Sequence, residues 1–398
     1  ELEWILKMQD QTSGGFYPRV QADDDENITE RIIMDQNGPT TDDTACAAAI
    51  LAHGSIIYKN IDPSFADQCL NSAISAWGFL ENNPDNIISP EGPYNVTDDS
   101  SDRLWAAAAL YRATGYDKYH LYFQDNYQNF TERFEDENSY ANSWGDMWMA
   151  GFFNYLKAEY RNEEITAWIE DEFNIWLNNI TERYSNNPWN NTIVPGNYFW
   201  GINMQLLNVP EAAYIGCQLM DLNSENVDNM LFDSLNWLLG TNPLRFSYLS
   251  GYGEDSVEVI FSNIYSHDDL EGIPAGYMPG GPNAYQGDIL SRFAGKCYIH
   301  SSGDWVTNEH TVYWNGALVF NTAYVNEQSQ DIPVVISGDL NGDSAVNSLD
   351  YILMRRYLLG IINEFDYEQG EIAADMNEDG MINSVDYILL RRVLLGGN

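Results

Sequence analysis

Apolar residues recur at helical spacing through most of the first 240 positions, in segments of roughly 15 to 20 residues separated by clusters of Asn, Asp, Gly and Pro. The segment 62–82 is the clearest, because Asp62 can cap it and Pro63 suits a first helical turn. One face of that segment carries an apolar stripe of Ala66, Cys69, Ala73, Trp77 and Leu80. The same period predicts further helices over 42–59, 102–114, 143–160, 164–184, 201–219 and 225–240. The pattern therefore predicts an all-α domain.

The helical period disappears between residues 241 and 304, where Gly, Pro, Ser and Tyr dominate. Irregular segments of this length in a compact domain are usually functional. A further helix is predicted from Thr307 to Val325. We expect a helical domain over 1–328, a linker over 329–337 and a small second domain over 338–398. The first residues, ELEWILKMQ, are typical of the second half of an amphipathic helix, so we expect the chain to start inside a domain.

Charge and cysteine content narrow the possible partners. The 398 residues include 60 acidic and 18 basic side chains, a formal net charge of -42, which repels nucleic acid and anionic membranes. No apolar run is long enough to span a bilayer, so no membrane partner is expected. The four cysteines form no CxxC pair, which favours buried free thiols over a disulfide framework or a zinc site. Neither pattern nor motif indicates an organic cofactor.

The C-terminal region contains an internal repeat. DLNGDSAVNSLDYILMRRYLLG, from Asp339, recurs as DMNEDGMINSVDYILLRRVLLG, from Asp375. Each copy places oxygen-bearing side chains at positions 1, 3, 5, 9 and 12, the spacing of a calcium loop in which one backbone carbonyl also points inward. The predicted ligands of two Ca²⁺ ions are Asp339, Asn341, Asp343, Asn347, Asp350, Asp375, Asn377, Asp379, Asn383 and Asp386. Because the three carboxylates of each loop repel one another without an ion, we expect folding to be coupled to calcium binding.

Each repeat is a loop followed by one helix, without the entering helix of an EF-hand and with Asp at position 12. This arrangement resembles the type I dockerin module of cellulosomal enzymes. The resemblance implies an extracellular, cellulosome-associated protein that binds a cohesin module of a scaffoldin. It also implies two alternative cohesin-binding faces, formed by Ser348, Leu349, Arg355 and Arg356 or by Ser384, Val385, Arg391 and Arg392. A calcium-stabilised appendage without a partner is the alternative.

Three strings in the first domain resemble glycoside hydrolase family 9, whose members are inverting cellulases with an (α/α)6 barrel. They are LLGTNPLRFSYLSGYG from Leu238 with the PGGPN turn at 279–283, WGIN at 200–203, and WVTNEHTVYWNGALV from Trp305. In the last string the Glu after Asn is the family's general acid, which implies this role for Glu309. The resemblance covers most of residues 1–328.

The chemistry of glycoside hydrolysis agrees with these residue types. Cleavage requires a protonated carboxyl group at the leaving oxygen, and the aromatic surroundings of Glu309 favour a raised pKa. A carboxylate that only stabilises a helix start is the alternative. The candidate substrate-binding residues are Trp144, Trp200, Trp314 and His267, the last from the family's H-x-R motif, which here lacks its Arg. Core packing is the alternative role for any one of these Trp residues.

Two departures from the family pattern concern the catalytic machinery. The family's Asp nine residues before the acid is His300 here. Its catalytic base lies in a DAGD-type motif that is absent from residues 1–398, so we expect the barrel to lack its first helices. Asp42 and Asp43 are early carboxylates, but their setting resembles a later family helix and they are not assigned as the base. The sequence thus predicts an endo-β-1,4-glucanase anchored through a dockerin, or alternatively a non-catalytic glucan-binding or structural module that carries a dockerin.

Overall fold

The computed structural model describes residues 1–22, 31–33, 38–88, 96–223, 225–262, 272–286, 290–329, 335–377 and 379–395. The chain divides into two compact units, Glu1–Ala323 and Tyr324–Asn398. Each unit has its own apolar core.

The first unit is helical. Its helices are α1 (Leu2–Lys7), α2 (Thr41–Tyr58), α3 (Pro63–Asn82), α4 (Ser100–Thr114), α5 (Asp117–Asn126), α6 (Thr131–Glu135), α7 (Trp148–Leu156), α8 (Glu163–Asn186), α9 (Ile202–Met220), α10 (Glu225–Leu238), α11 (Trp305–Asn308) and α12 (Val312–Ser329). The last turns of α12 extend past the boundary between the two units. Short 3₁₀ helices cover Tyr127–Phe130, Ala284–Gln286 and Ala294–Lys296.

The helices alternate between an inner and an outer layer. Helices α2, α4, α7 and α9 contact one another in that order, while α3, α5 and α10 pack against α2, α4 and α9. The sequence explains the layering, because the alanines at 45, 47–49 and 106–109 allow α2 and α4 to be buried on most sides. Helices α3 and α8 instead bury one stripe and expose the opposite face. Such alternation of inner and outer helices is the arrangement of an α/α barrel.

Helix α3 shows how local sequence determines an element. The Asp62 carboxylate accepts a hydrogen bond of 3.0 Å from the Phe65 amide, and Pro63 occupies the first turn. The stripe predicted from the sequence is buried along its whole length, with no member more than 5% exposed. The prediction of this helix, its cap and its apolar face is confirmed.

Several predicted bounds were wrong. The helix expected over 143–160 spans only Trp148–Leu156, because the amide and carbonyl of Ser143 and Asp146 pair in a turn before it. Helices α5 and α6 and the antiparallel strands β1 (Val20–Ala22) and β2 (Arg31–Ile33), which pair Val20 with Ile33, were not predicted. These elements have only three to ten residues each, too few to show a clear helical or strand period in the sequence.

The helix expected from Thr307 to Val325 is interrupted. Helix α11 ends at Asn308, Glu309 is extended with φ -64° and ψ 148°, and α12 begins at Val312. The three residues between the helices leave the side chain of Glu309 outside the regular helical surface. The single-helix prediction was therefore wrong.

The second unit contains α13 (Ser348–Leu358), α14 (Gly370–Ala374) and α15 (Ser384–Leu394). Helices α13 and α15, which follow the two repeats, pack against each other. Their equivalent residues Tyr351 and Tyr387 stack with ring centroids 4.3 Å apart and planes 11° apart. A small core lies beneath the loops and consists of Leu340, Met354, Phe365, Ala374 and Leu390.

All four cysteines are free thiols, and Cys69, Cys217 and Cys297 are buried, which confirms the prediction for these three. Cys46 is only partly buried. Throughout the described ranges, no helix is both long and apolar enough to cross a bilayer.

Candidate active site and calcium loops

Short-range hydrogen bonds fix the backbone around Glu309. The Asp304 carboxylate caps α11 by accepting the Thr307 amide at 2.9 Å. The side-chain amide of Asn308, which is fully buried, donates to the carbonyl oxygens of Val259 and Ser301 at 2.8 and 3.0 Å. Asn308, which directly precedes Glu309, is therefore held against the irregular segment before α11.

The Pro279–Asn283 turn closes on the same segment. The amide of Gly280 donates to the carbonyl of Glu309 at 2.7 Å, and the amide of Gly281 donates to the carbonyl of Thr307 at 3.0 Å. Gly281 has φ +90°, and a Cβ there would lie 2.3 Å from the Asn203 side-chain oxygen. Only glycine combines this backbone conformation with so close an approach. The turn thus brings the WGIN segment and the segment containing Glu309 together.

The Glu309 carboxyl lies among aromatic side chains. The Trp200 indole N–H donates to Glu309 Oε2 at 3.1 Å, and the Trp200 and Trp305 rings are 4.8 Å apart. Glu309 and Trp200 are half-buried, and Trp305 is 52% exposed. Burial raises the pKa of Glu309 above its ordinary value, while the hydrogen bond from Trp200 opposes that rise. The environment thus favours a carboxyl that keeps its proton at a higher pH than a solvated Glu does.

The structure places Trp200, a predicted substrate-binding residue, beside Glu309, and packs against Trp200 the ring of Trp305, which was not predicted as a site residue. Trp305 occupies the first position of α11, four residues before Glu309. The signal was present in the sequence, since the Asp304 cap places residue 305 at a helix start and one turn from Glu309.

The predicted subsite role of Trp314 is contradicted by its burial. The Trp314 ring is 3% exposed and packs against Gly201 and Gly280, where an added Cβ would lie 2.7 and 2.9 Å from it. A ring enclosed in this way offers no open face to a sugar. Trp314 instead supports the turn and the helix start that hold Glu309.

Trp144 lines a separate cleft of about 280 Å³ between the start of α4 and the turn before α7. Its ring is 49% exposed, and the Arg133–Asp146 ion pair, at 2.7 Å, lies in the same cleft. Glu309 is not among the described residues that line this cleft. His267, the fourth substrate-binding candidate, lies outside the described residues.

His300, which stands where the family pattern has an Asp, has a structural role here. Its Nε2 accepts the backbone amides of Glu258 and Val259 at 3.0 and 3.3 Å. Val259 is also the residue whose carbonyl binds Asn308. The imidazole therefore supports the segment on which the Asn308 anchor depends.

A group of carboxylates, with Asp102 buried and Asp42 and Asp43 half-buried, lies where α2 and α4 pack. Burial raises the pKa of Asp43 to about 7 and that of Asp102 to about 8, and the Asp42 charge adds to both effects. The Cys46 thiol donates to Asp102 Oδ1 at 3.4 Å. Composition and periodicity did not reveal these shifts, which arise from tertiary burial of acidic side chains in an alanine-rich layer.

The two C-terminal loops have the same hydrogen-bond geometry. In the first, the Asp339 carboxylate accepts the amides of Gly342, Asp343 and Ser344 at 2.9, 3.3 and 2.8 Å. In the second, the Asp375 carboxylate accepts the amides of residues 379 and 380 at 3.1 and 2.7 Å. The repeat in sequence is therefore a repeat in loop conformation.

The last acidic residue of each loop also lies in the first turn of a helix. Asp350 and Asp386, both fully buried, accept the amides of Asn347 and Asn383 at 2.8 Å and complete capping boxes. In the described ranges no three Asp, Glu, His or Cys side chains converge closely enough to hold an ion by themselves. The loops supply Asn and carbonyl oxygens as well as carboxylates, a hard all-oxygen set that suits Ca²⁺.

The eight residues predicted to face a cohesin are all exposed and lie on α13 and α15. Leu349 and Val385, at equivalent positions, are 55% and 47% exposed. The pairing of the two helices gives each repeat an equivalent outer face.

Comparison with known families agrees with the fold and the site. The profile described as Glycosyl hydrolase family 9 matches residues 1–322, and that described as Dockerin type I domain matches residues 337–395. The chain belongs to glycosyl hydrolase family 9 and carries a type I dockerin domain. The (α/α)6 barrel expected from the sequence is confirmed by the structural neighbours given below.

Two relatives similar in sequence are named as an endoglucanase and a cellobiosidase. Endoglucanase D of Acetivibrio thermocellus is 27% identical in an alignment that covers 93% of this chain and 59% of that protein. Cellulose 1,4-beta-cellobiosidase of the same organism is 31% identical in an alignment that covers 78% of this chain and 40% of that protein. The chain thus spans 59% or less of the length of these two relatives.

Solved structures show the same fold. The crystal structure of GH family 9 endoglucanase J30 superposes with a TM-score of 0.73 at 25% identity, covering 81% of this chain and 62% of that one. The structure of AaCel9A in complex with cellobiose-like isofagomine gives a TM-score of 0.71 at 24% identity and covers 82% and 64% of the two chains.

Proposed function

We propose that this chain hydrolyses β-1,4-glucan with inversion at the anomeric carbon, with Glu309 as the general acid. The observation that supports this most directly is the half-buried Glu309 carboxyl, hydrogen-bonded to Trp200 beside the exposed ring of Trp305. It lies in the segment that matches the family's acid-bearing signature. Membership of glycosyl hydrolase family 9 supports the same assignment.

The geometry suggests how the proton is held and delivered. Because Trp200 holds Oε2, the carboxyl has one fixed orientation, and Oε1 is the oxygen from which a proton would pass to the leaving glycosidic oxygen. Burial keeps the neutral acid populated. Trp200 and Trp305 would stack on pyranose rings through their flat apolar faces. Trp144 remains a proposed substrate-binding residue in its own cleft.

Inversion also requires a second carboxylate, roughly 6.5 to 9.5 Å from the acid, to activate water. The DAGD-type motif that carries this base in the family is absent from residues 1–398, and the Arg of the family's H-x-R motif is Asp269 here. This observation favours the second candidate, a dockerin-borne module that binds glucan without cleaving it. The two candidates differ in a single measurable step, the release of new reducing ends.

We expect this chain to release reducing sugars from soluble β-glucan, and Glu309→Gln to reduce the rate by at least about 100-fold. The matched control is Glu258→Gln, an exposed carboxyl in the same region, which should keep full activity. Calorimetry with cello-oligosaccharides provides the second readout. Binding without release of reducing ends by the native chain would support the non-catalytic module instead.

For the second unit, we propose calcium-dependent binding to a cohesin of a scaffoldin, which would place the protein in an extracellular cellulosome. The oxygen atoms of Asp339, Asn341, Asp343, Asn347 and Asp350, and of their counterparts 36 residues later, would hold one Ca²⁺ per loop. The type I dockerin match and the two exposed equivalent faces support this proposal.

A further inference from the structure

A cavity of about 510 Å³ lies beside the turn that follows α10. Residues 240–243 form one wall, and Trp189, Arg245 and Lys296 complete the lining. This volume is in the range of sites that bind small molecules. None of these residues belongs to the Glu309 cluster or to the calcium loops.

The charge of this cavity is opposite to that of the protein. Acidic residues outnumber basic ones by 60 to 18, yet two basic side chains line this one cavity, and its described lining includes no Asp or Glu. Ion pairs elsewhere in the described ranges involve Arg103, Lys118 and Arg133 rather than Arg245 or Lys296. Arg245 and Lys296 are exposed, so both can meet an anion from solvent.

The wall that carries Arg245 is held rigidly. The buried Asn242 side chain donates to the carbonyls of Trp237 and Phe246 at 2.7 Å each, and its oxygen accepts the Leu244 amide at 3.0 Å. Arg245 has φ +55°, a left-handed conformation uncommon for a residue with a side chain. Such a conformation persists only where its surroundings impose it, so the turn presents Arg245 in one backbone orientation.

An aromatic side chain, Trp189, lines the cavity together with the two basic side chains. Trp189 follows α8 and is 40% exposed, and its amide donates to the Asn187 side chain at 2.9 Å. An indole face stacks on the apolar face of a pyranose, whereas a guanidinium binds a carboxylate through two parallel hydrogen bonds. A ligand that satisfies both groups is a sugar that bears a carboxylate.

We propose that this cavity binds a hexuronic acid residue of an acidic polysaccharide. The sugar ring stacks on Trp189, and its carboxylate pairs with Arg245 and Lys296. The site is a binding site with no chemical step, and it does not depend on the hydrolytic role of Glu309. It would hold the protein on a wall polymer that carries uronic acids.

The test is a ligand-observed NMR titration of the full chain with sodium glucuronate, its uncharged methyl ester, glucose and inorganic phosphate. We expect glucuronate to bind about tenfold more tightly than its ester or glucose, because only the acid pairs with the two cations. Phosphate, which cannot stack, should bind more weakly than glucuronate. Glu309→Gln should leave glucuronate binding unchanged, which separates this proposal from the hydrolase assignment.

Variants at Trp189 and at the two basic residues measure the contributions of ring stacking and of charge to glucuronate binding. Trp189→Ala should remove detectable binding of glucuronate, while Trp4→Ala, another exposed indole, should not alter it. The double variant Arg245→Gln and Lys296→Gln should reduce glucuronate affinity to that of glucose, while Lys59→Gln leaves it unchanged. Circular dichroism and the melting temperature verify that each variant is folded.

Two results would overturn the proposal. One is glucuronate binding that is equal in the native chain and in folded Trp189→Ala or Arg245→Gln/Lys296→Gln variants. The other is an affinity for phosphate that equals the affinity for glucuronate and does not change in Trp189→Ala. That result would define a simple anion site.

Discussion

At position 309, burial and a hydrogen bond act on one carboxyl in opposite directions. Burial raises the pKa of Glu309, and the Trp200 N–H lowers it by stabilising the anion. The same indole therefore orients the acid and limits how strongly it retains its proton.

Replacing Trp200 by Phe separates these two effects. Phe keeps an aromatic ring but has no N–H, so we expect the pKa of Glu309 to rise further. Carbon-13 NMR of the labelled Glu309 carboxyl measures this directly, with Trp305→Phe as the control that removes an indole without a recorded bond to Glu309. A Glu309 pKa that falls or stays constant in Trp200→Phe would contradict the assigned bond.

The raised pKa of Asp102 predicts that the stability of the fold depends on pH. Its folded-state pKa is about 8, against an ordinary value of 3.8, because of burial. Between these values the folded state keeps a proton that the unfolded state releases, so stability decreases as the pH rises from about 4 towards 8. Asp102→Asn has no such proton to lose. Its free energy of unfolding, relative to that of the native chain, should therefore increase by on the order of 3 kcal/mol from pH 5 to pH 8.

Urea unfolding at pH 5, 6.5 and 8 measures this difference. Asp98→Asn, at an exposed position just before α4, is the control and should follow the native pH profile. Parallel profiles for the native chain and Asp102→Asn would show that Asp102 ionises normally in the fold.

At the scale of elements, the sequence predicted long amphipathic helices well and short or interrupted ones poorly. Helix α3 has a cap, a Pro in the first turn and an uninterrupted apolar stripe, and all three features are local. The break between α11 and α12 depends instead on backbone pairing with Gly280 and Gly281, which are distant in sequence. The burial of Trp314 arises from the same distant turn and could not be predicted from its neighbours.

The Gly281 turn can be tested by substitution. Gly281→Ala places a Cβ at φ +90° and against the Asn203 side chain, so we expect a loss of stability of about 2 kcal/mol or more. Differential scanning calorimetry measures the change. Gly316→Ala, in α12 with no atom within 4 Å of the new Cβ, is the control and should be neutral or stabilising by up to about 1 kcal/mol. Equal melting temperatures for both variants would contradict the close packing of the turn.

At the scale of the whole molecule, the candidate active site lies in the first unit and the calcium loops lie in the second. The two sites differ in how far they can be predicted from the sequence. In the C-terminal repeat, the spacing of the predicted calcium ligands could be obtained directly, because it depends on residues within one short loop. The two equivalent faces were predicted through the resemblance to a dockerin. The site in the first unit depends on contacts between positions 200, 280 and 309, so the sequence alone identified its members through family resemblance rather than through physical pattern.

The repeat predicts redundancy in partner binding. We expect Asp339→Ala and Asp375→Ala together to abolish calcium-dependent cohesin binding, while either change alone leaves one loop and one face intact. Calorimetry with a type I cohesin in calcium and in excess chelator measures this, and Asp366→Ala, an exposed carboxyl between the loops, is the control. Undiminished affinity in chelator would contradict a calcium-dependent interface.

The most direct measurement of the role of Glu309 compares two substrates that differ in their need for an acid. A dinitrophenyl β-cellobioside has a leaving group that departs without protonation, whereas the bond in β-glucan requires a proton. If Glu309 is the general acid, Glu309→Gln loses at least about 100-fold in kcat on β-glucan but keeps most of its rate on the aryl cellobioside. An equal loss of rate on both substrates, or an unchanged rate on β-glucan, would contradict the assignment.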